Sequence, residues 1–294
     1  MSEALDDLLA AQGGVATTGQ LLRVLGRAAF ESGVAAGTFA PVWTGVYSRA
    51  EPDTLLRLRG LDLRAGEPVP ICLGTAAAAY GFDVENTVDL HVLTPEGHQL
   101  RASDGLVVHR REGAPLTTID GRVATEPAWT AVEVARGLRR ARGLATLDAA
   151  LRTGACDERA LRNAVDRQAG RRGIVRVREL LPLASPLAES PMESESRLAM
   201  IDGGLPAPVL QYEIVDLSWR TWRVDFAWPQ FRLAVEFDGF DWHSDTDAFR
   251  RDRQKLAALN ELGWTMLSIV ADDVRRRPAE MVRRIEGAMA ARAA

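Results

Sequence analysis

The chain has 294 residues, of which 47% are apolar and 26% charged, and its formal net charge is −4. This is the balance of an ordinary globular chain with room for two or three domains, and it excludes a broadly basic nucleic-acid binder. No apolar run reaches the ~18 residues of a membrane span, and the start Met1-Ser2-Glu3 lacks the basic lead of a signal peptide. Cys72 and Cys156 are too few and too isolated for a disulfide framework or a thiolate metal site, so a cytoplasmic protein is expected. Lys255 is the single lysine of the chain. With so many Ala, Gly, Val and Arg residues around it, that usage reads as high-GC coding bias, and Arg in place of Lys carries little functional meaning.

From the N-terminus, Leu5, Leu8 and Leu9 form a helical stripe that Gly13-Gly14 stops. Thr17-Thr18-Gly19 caps a second helix through Leu21, Leu22 and Leu25, and Ala28 to Ala36 forms a third. Pro41 to Ser48 reads as a two-stranded wing, which completes winged helix-turn-helix grammar. The runs Gly13-Gly14-Val15-Ala16-Thr17-Thr18-Gly19-Gln20-Leu21 and Val42-Trp43-Thr44-Gly45-Val46-Tyr47-Ser48 resemble the N-terminal domain of AbiEi-type antitoxins. Members of that family usually carry several basic residues on the third helix; here Ala28 to Ala36 has none.

Further on, helical periodicity runs from Leu55 to Leu63 and from Pro127 to Leu151, with strands at Val88–Thr94 and Gly105–Arg110 between them. His91 and His109 are expected as neighbours across a sheet, read as half-exposed strand histidines rather than a metal pair. The segment resembles the middle part of the same antitoxin family. Residues 182–191 hold three prolines and read as a linker.

Beyond it, a helix over Met192–Met200 bears Glu193 and Glu195, and strands are expected at Gln211–Val215, Thr221–Trp228 and Phe231–Asp238. A two-residue turn at Pro229-Gln230 places Asp225 opposite Ala234, and residues two apart on a strand share a face. Asp225, Glu236 and Asp238 then share one face, whereas a three-residue loop separates them. Three converging oxygen ligands suit Mg²⁺ or Mn²⁺, which can activate a water and offset charge on a phosphate. His243 is a candidate general acid or base. The helix Thr246–Leu262 carries Arg250, Arg251, Arg253 and Lys255, a candidate nucleic-acid patch whose alternative reading is a solvated helix face. Arg275-Arg276-Arg277 is a second such patch.

Arg223-Val224-Asp225-Phe226, Leu233 to Gly239, Trp242-His243, Arg251-Asp252-Arg253 and Leu262-Gly263-Trp264 together resemble the very-short-patch-repair endonucleases and their relatives in the PD-(D/E)XK superfamily. The resemblance implies that Asp225 is the metal-binding aspartate, Glu236 the second acid and His243 the histidine after the Trp. Glu195 corresponds to the helix glutamate before the core, with Glu193 as the runner-up. Where the superfamily has a lysine two residues after the second acid, this chain has Asp238; Lys255 or Arg253 are the candidate substitutes.

The expected fold class is therefore α/β (α+β). It comprises a winged helix-turn-helix over 1–50, a mixed antitoxin-like domain over 51–181, the linker 182–191, and a restriction-endonuclease-like mixed sheet flanked by helices over 192–294. The expected function is Mg²⁺-dependent (or Mn²⁺-dependent) hydrolysis of DNA phosphodiester bonds in defence or repair. The alternative is a non-enzymatic antitoxin-like regulator that binds DNA through 1–50 and a toxin protein through 52–190. A nuclease fold that binds nucleic acid without cutting is the third reading.

Overall fold

A computed structural model describes residues 3–82, 88–94, 100–110, 113–239 and 246–293. The chain divides into two compact units, Met1–Ala79 with Asn86–Glu126, and Tyr80–Glu85 with Pro127–Ala294. The division falls at Glu126/Pro127 and not in the proline-rich stretch 182–191. No helix among the described residues is long and apolar enough to cross a membrane.

The first unit opens with α1 (Glu3–Ala11), β1 (Val15–Thr17), α2 (Thr18–Leu25), α3 (Arg27–Ala35), β2 (Ala40–Trp43) and β3 (Val46–Ser48). The strands form an antiparallel sheet in the order β1-β3-β2, giving three helices and a wing. Thr17 begins α2 through a reciprocal cap: its Oγ1 accepts from Gln20 N, and Gln20 Oε1 accepts from Thr17 N at 2.8 Å. Leu5, Leu9, Leu21, Phe30 and Phe39 form the core, with Tyr47 packed edge-on against Phe30. Then come α4 (Thr54–Ala65), α5 (Leu73–Ala79), β4 (Leu90–Leu93), β5 (Leu106–His109), β6 (Leu116–Ile119) and β7 (Arg122–Thr125). Strands β4 and β5 pair in parallel, β6 and β7 antiparallel, and Ile71 bridges Val92 and Ala124. His91 and His109 do meet across β4 and β5, with stacked rings and His91 Nδ1 2.9 Å from His109 Nε2.

The second unit starts with α6 (Pro127–Gly137), α7 (Arg140–Arg152), α8 (Glu158–Arg167) and α9 (Ile174–Leu180). The periodicity of 127–151 is thus interrupted: Arg139 is extended, with ψ of 153°, so one amphipathic stretch becomes two packed helices. The stretch read as a linker is packed. Ser185 N donates to Asp148 Oδ1 at 2.8 Å, Arg197 Nη1 donates to Leu183 O at 2.5 Å, and Ala188 is buried. Pro182 and Pro191 stand in the first turn of a 3-10 turn and of the next helix, where a missing N–H costs nothing, and neighbouring side chains satisfy backbone groups of the stretch.

The remaining elements are α10 (Pro191–Asp202), β8 (Val209–Val215), β9 (Thr221–Trp228), β10 (Leu233–Phe237), α11 (Thr246–Glu261), β11 (Thr265–Ile269), α12 (Ala271–Arg275) and α13 (Pro278–Ala293). They form a mixed four-stranded sheet in the order β11-β10-β9-β8. The hairpins β8-β9 and β9-β10 are antiparallel, and α11 is the crossover that returns the chain to a parallel β11. On one sheet face Phe226, Trp228, Leu233, Val235 and Ile269 pack with Met200, Val274, Met281 and Ile285 from α10, α12 and α13. On the other, Trp222, Val224, Ala227 and Ala234 pack with Leu259 of α11 and with Trp264. Each fully buried large apolar side chain contributes roughly 1.5–3 kcal/mol. The result is a three-layer α/β/α unit, which confirms the expected mixed sheet flanked by helices.

Candidate active site

The hairpin that carries the acids is longer than the sequence suggested. Pro229–Phe231 forms a 3-10 turn, and Arg232 sits in the left-handed region at φ 45°. The loop therefore holds four residues, and Leu233 pairs with Trp228, Ala234 with Ala227 and Val235 with Phe226. Relative to a two-residue turn the register moves by two, which preserves parity. One step beyond the last pair, Asp225 and Glu236 come opposite each other. Here the backbone ladder gives way to a side chain, because Phe237 N donates to Asp225 Oδ2 at 2.9 Å.

Asp225 also sits where the alternation of its strand slips. Trp222 and Val224 belong to the core under α11, whereas Phe226 and Trp228 belong to the opposite one. The partner strand slips at the same level: Leu210 packs with the second core and Tyr212 and Ile214 with the first. Between them Gln211 has φ 49°, and the Gln211–Asp225 pair is missing from a ladder otherwise in constant register. A non-glycine residue held at positive φ in mid-strand is strained, and such strain gathers at functional sites. The slip lets Asp225 feel groups from both sides of the sheet.

From the α11 side comes Lys255. Its Nζ is ion-paired with Glu236 Oε1 and donates to Arg223 O at 2.5 Å. The single lysine of the chain thus lies against the second of the two acids. From the α10 side comes Glu193, not Glu195. Glu193 is buried, and its Oε2 accepts from Glu189 N and Gln211 Nε2, both at 2.9 Å.

Glu195, the expected helix glutamate, faces elsewhere. It is 3% exposed and accepts from Arg275 Nε at 3.0 Å and Nη2 at 2.9 Å, with Arg142 Nη1 at 3.5 Å and Arg139 Nη2 at 3.8 Å. Residues two apart on a helix point in different directions, so only one of the two glutamates can reach the sheet edge.

A cleft of about 600 Å³ opens over this edge, lined among others by Asp225, Glu236, Asp238, Asp252, Arg253 and Lys255. Asp238 is exposed in its wall, and its backbone N donates to Ile269 O at 2.8 Å. Burial pushes the Asp225 carboxyl above its ordinary pKa, against the Phe237 N–H and Lys255, and the charge of Glu189 adds to the rise. Glu236 is likewise raised by burial; Lys255 opposes this, while Asp225 and Asp252 reinforce it. Burial also raises Glu193, and the charge of Asp225 contributes. Glu195 is the contrast: burial raises it, but hydrogen bonds from Arg275 and the charges of three arginines outweigh that and hold it low.

Among the described residues no group of three or more His, Cys, Asp or Glu side chains stands close enough together to hold a metal ion. The expected triad of Asp225, Glu236 and Asp238 is therefore not assembled as a ligand set; Asp225 and Glu236 remain as a pair. His243 and Trp242 lie outside the described residues. Arg250, Arg251 and Arg253 are exposed on α11. The second arginine run is committed to ion pairs: Arg275 to Glu195, Arg276 to Asp272 and Arg277 to Asp273. In the winged helix, the one basic residue of α3 is Arg27, paired with Glu31 at 3.5 Å.

The AbiEi antitoxin C-terminal domain matches residues 69–183, across the boundary between the two units, and the restriction-endonuclease-like domain REase_MTES_1575 matches residues 211–289. The uncharacterized proteins Rv2248 and MT2308 from two strains of Mycobacterium tuberculosis are each 56% identical to this chain over 249 residues, covering 85% of it and 92% of their own length. The chain belongs to one family with these mycobacterial proteins. It joins an AbiEi antitoxin C-terminal domain to a restriction-endonuclease-like domain, as the two resemblances implied. The crystal structure of the RV2827C protein from Mycobacterium tuberculosis aligns with a TM-score of 0.45 at 17% identity, over 72% of this chain and 87% of that one.

Of the two glutamates, the resemblance favoured Glu195, with Glu193 as the runner-up. The burial of both gives no signal that separates them. The positive φ of Gln211, which binds Glu193, had no sequence mark at all.

Proposed function

We propose that the restriction-endonuclease-like domain hydrolyses DNA phosphodiester bonds with a divalent cation, Mg²⁺ or Mn²⁺, at Asp225 and Glu236. The observation that carries this reading is the juxtaposition of those two carboxylates at the sheet edge with Lys255 on Glu236. The donor set fits such an ion: both acids are hard oxygen donors held above their ordinary pKa by burial, with the charge of Glu189 adding at Asp225 and those of Asp225 and Asp252 adding at Glu236. Mg²⁺ is commonly bound through one or two carboxylates and completes its shell with water and substrate phosphate. When bound, the ion lowers the pKa of a water and offsets charge on the phosphate.

The chain's own residues have distinct tasks. Lys255 orients Glu236 and brings a fixed positive charge to the cleft, taking the part that the superfamily gives to the lysine where Asp238 stands. Glu193 and Gln211 support Asp225 from the other side. Asp238 shapes the cleft wall, and His243 serves as proton donor or acceptor. Arg250, Arg251 and Arg253 meet the phosphate backbone. The reaction takes place in the cytoplasm.

Purified protein incubated with supercoiled plasmid in Mg²⁺ or Mn²⁺ is expected to nick or linearise it. EDTA or Asp225→Ala should abolish this, and cutting that survives Asp225→Ala would overturn the assignment. The AbiEi antitoxin C-terminal domain favours a second reading, a regulator that binds its own promoter and a toxin protein. Salt-sensitive binding to one promoter fragment, with no cutting of any DNA, would select it.

A further inference from the structure

The turn between β8 and β9 is built at odds with folding stability. Asp216 N donates to Arg220 O at 2.9 Å and Trp219 N donates to Asp216 O at 3.0 Å, which makes Leu217–Trp219 a three-residue hairpin loop. The last residue of such a loop adopts the left-handed region and is usually glycine. Here it is Trp219, at φ 62°, with 89% of its surface exposed beside a 74% exposed Leu217. The loop is nevertheless stiff: Asp216 Oδ1 accepts from Ser218 N at 2.8 Å and Arg220 N at 2.9 Å, and its Oδ2 accepts from Trp222 Nε1 at 2.8 Å. A bulky aromatic at a glycine position, held rigidly in water, gains nothing from burial and loses backbone comfort.

The surroundings indicate what the ring meets. Arg220 lies over the Trp222 ring, 4.1 Å from its centroid, and donates to Gln254 Oε1 of α11 at 3.2 Å. Arg250 and Arg251 precede Gln254 by four and three residues, so they share its helix face, and both are exposed. The next residue, Lys255, is the lysine of the carboxylate cleft. The exposed indole of Trp219 is thus one residue from Arg220, which ties the hairpin to the helix that carries these cations and borders the cleft. Arginines attract phosphates, and a rigid indole stacks on a base whose face is open.

We propose that Trp219 is a base-stacking residue, and that the favoured substrate is nucleic acid with unpaired bases, a single strand or a strand junction. Bases inside an intact duplex offer no free face to the ring. The substrate class rests on the hydrolytic reading above, while the stacking itself is measurable without turnover.

The test uses full-length protein in EDTA and fluorescence anisotropy of labelled DNA, a roughly 12-nucleotide single strand against the matching blunt duplex. Wild type is expected to prefer the single strand. Trp219→Gly should weaken single-strand binding about ten-fold or more, and Trp219→Phe should keep most of it. Thermal denaturation of Trp219→Gly should show no loss of stability, because glycine relaxes the left-handed position. Unchanged binding by Trp219→Gly, or no single-strand binding by wild type, overturns the proposal. So does a change from dimer to monomer on Trp219→Gly in sedimentation, which would assign the surface to a second copy of the chain. The two readings fail separately. Trp219-dependent binding by a protein that never cuts leaves the stacking role and removes the nuclease; cutting by wild type with unaltered Trp219→Gly binding does the reverse.

Discussion

Lys255 of α11 is ion-paired with Glu236 of β10, although nineteen residues separate them in the chain. The pair is only partly exposed, at 16% and 28% of the two side chains, so the ammonium is the main compensation for a carboxylate lodged in a sheet edge. Removing the lysine leaves that carboxylate without its cation. Lys255→Met is expected to cost about 1–2 kcal/mol at neutral pH, reduced from the fully buried case by the remaining exposure. Adding Glu236→Gln to it should recover part of the loss. Urea denaturation of the two single variants and the double variant measures the coupling; strict additivity would mean that the ion pair contributes nothing.

Asp225, Glu236 and Glu193 all have raised pKa values in the folded protein, with burial as the first cause. A carboxyl raised on folding contributes stability that is fully present below its unfolded pKa and lost as pH rises through its folded pKa. Neutral pH therefore penalises these groups. Asp225→Asn should raise Tm at pH 7 and leave it unchanged below about pH 4, the ordinary carboxylate range. A Tm gain of equal size at both pH values would contradict the burial argument.

The same carboxylates predict a response to divalent cations. An ion that binds only the folded state stabilises it by about 2.7 kcal/mol at a hundred times its Kd. Mn²⁺ at pH 7 should raise the Tm of the wild type and fail to do so in the Asp225→Asn, Glu236→Gln double variant. This calorimetric readout is independent of any cleavage assay.

Glu193 and Glu195 separate site from scaffold. Glu195→Gln strips the counter-charge from Arg275, Arg142 and Arg139, and should destabilise the protein by roughly 2–4 kcal/mol while leaving DNA cleavage intact at a permissive temperature. The folded pKa of Glu195 lies below its ordinary value, so its contribution is present above the unfolded pKa and lost as pH falls through the folded one. Glu193→Gln should be neutral or stabilising at pH 7 and should reduce cleavage. The opposite pattern would return Glu195 to the site.

Arg250 and Arg251 are expected to contact phosphates. Replacing both by Ala should reduce the slope of log K against log salt by about 1.4–1.8 for DNA binding, each phosphate contact contributing about 0.7–0.9. An unchanged slope would make the Arg250/Arg251 face of α11 a solvated one.

How much of this was legible in the sequence depended on the range of the forces involved. The winged-helix elements, the β9-β10 hairpin and the shared face of Asp225 and Glu236 follow from local rules: caps, turns and a side-chain period of two. Parity survived even though the turn grew from two residues to four, since an even shift leaves every side chain on its face. Other features were set by packing between distant elements. Whether Glu193 or Glu195 reaches the sheet edge depends on how α10 is rotated against β8 and α7, and the arginines that claim Glu195 come from Arg139, Arg142 and Arg275. Whether Lys255 meets Glu236 depends on where α11 crosses the sheet. By itself the sequence determined which carboxylates pair, because strand alternation is local. Only the tertiary structure decided which cation and which glutamate join them, because side chains brought together from separate elements have no sequence period to announce them.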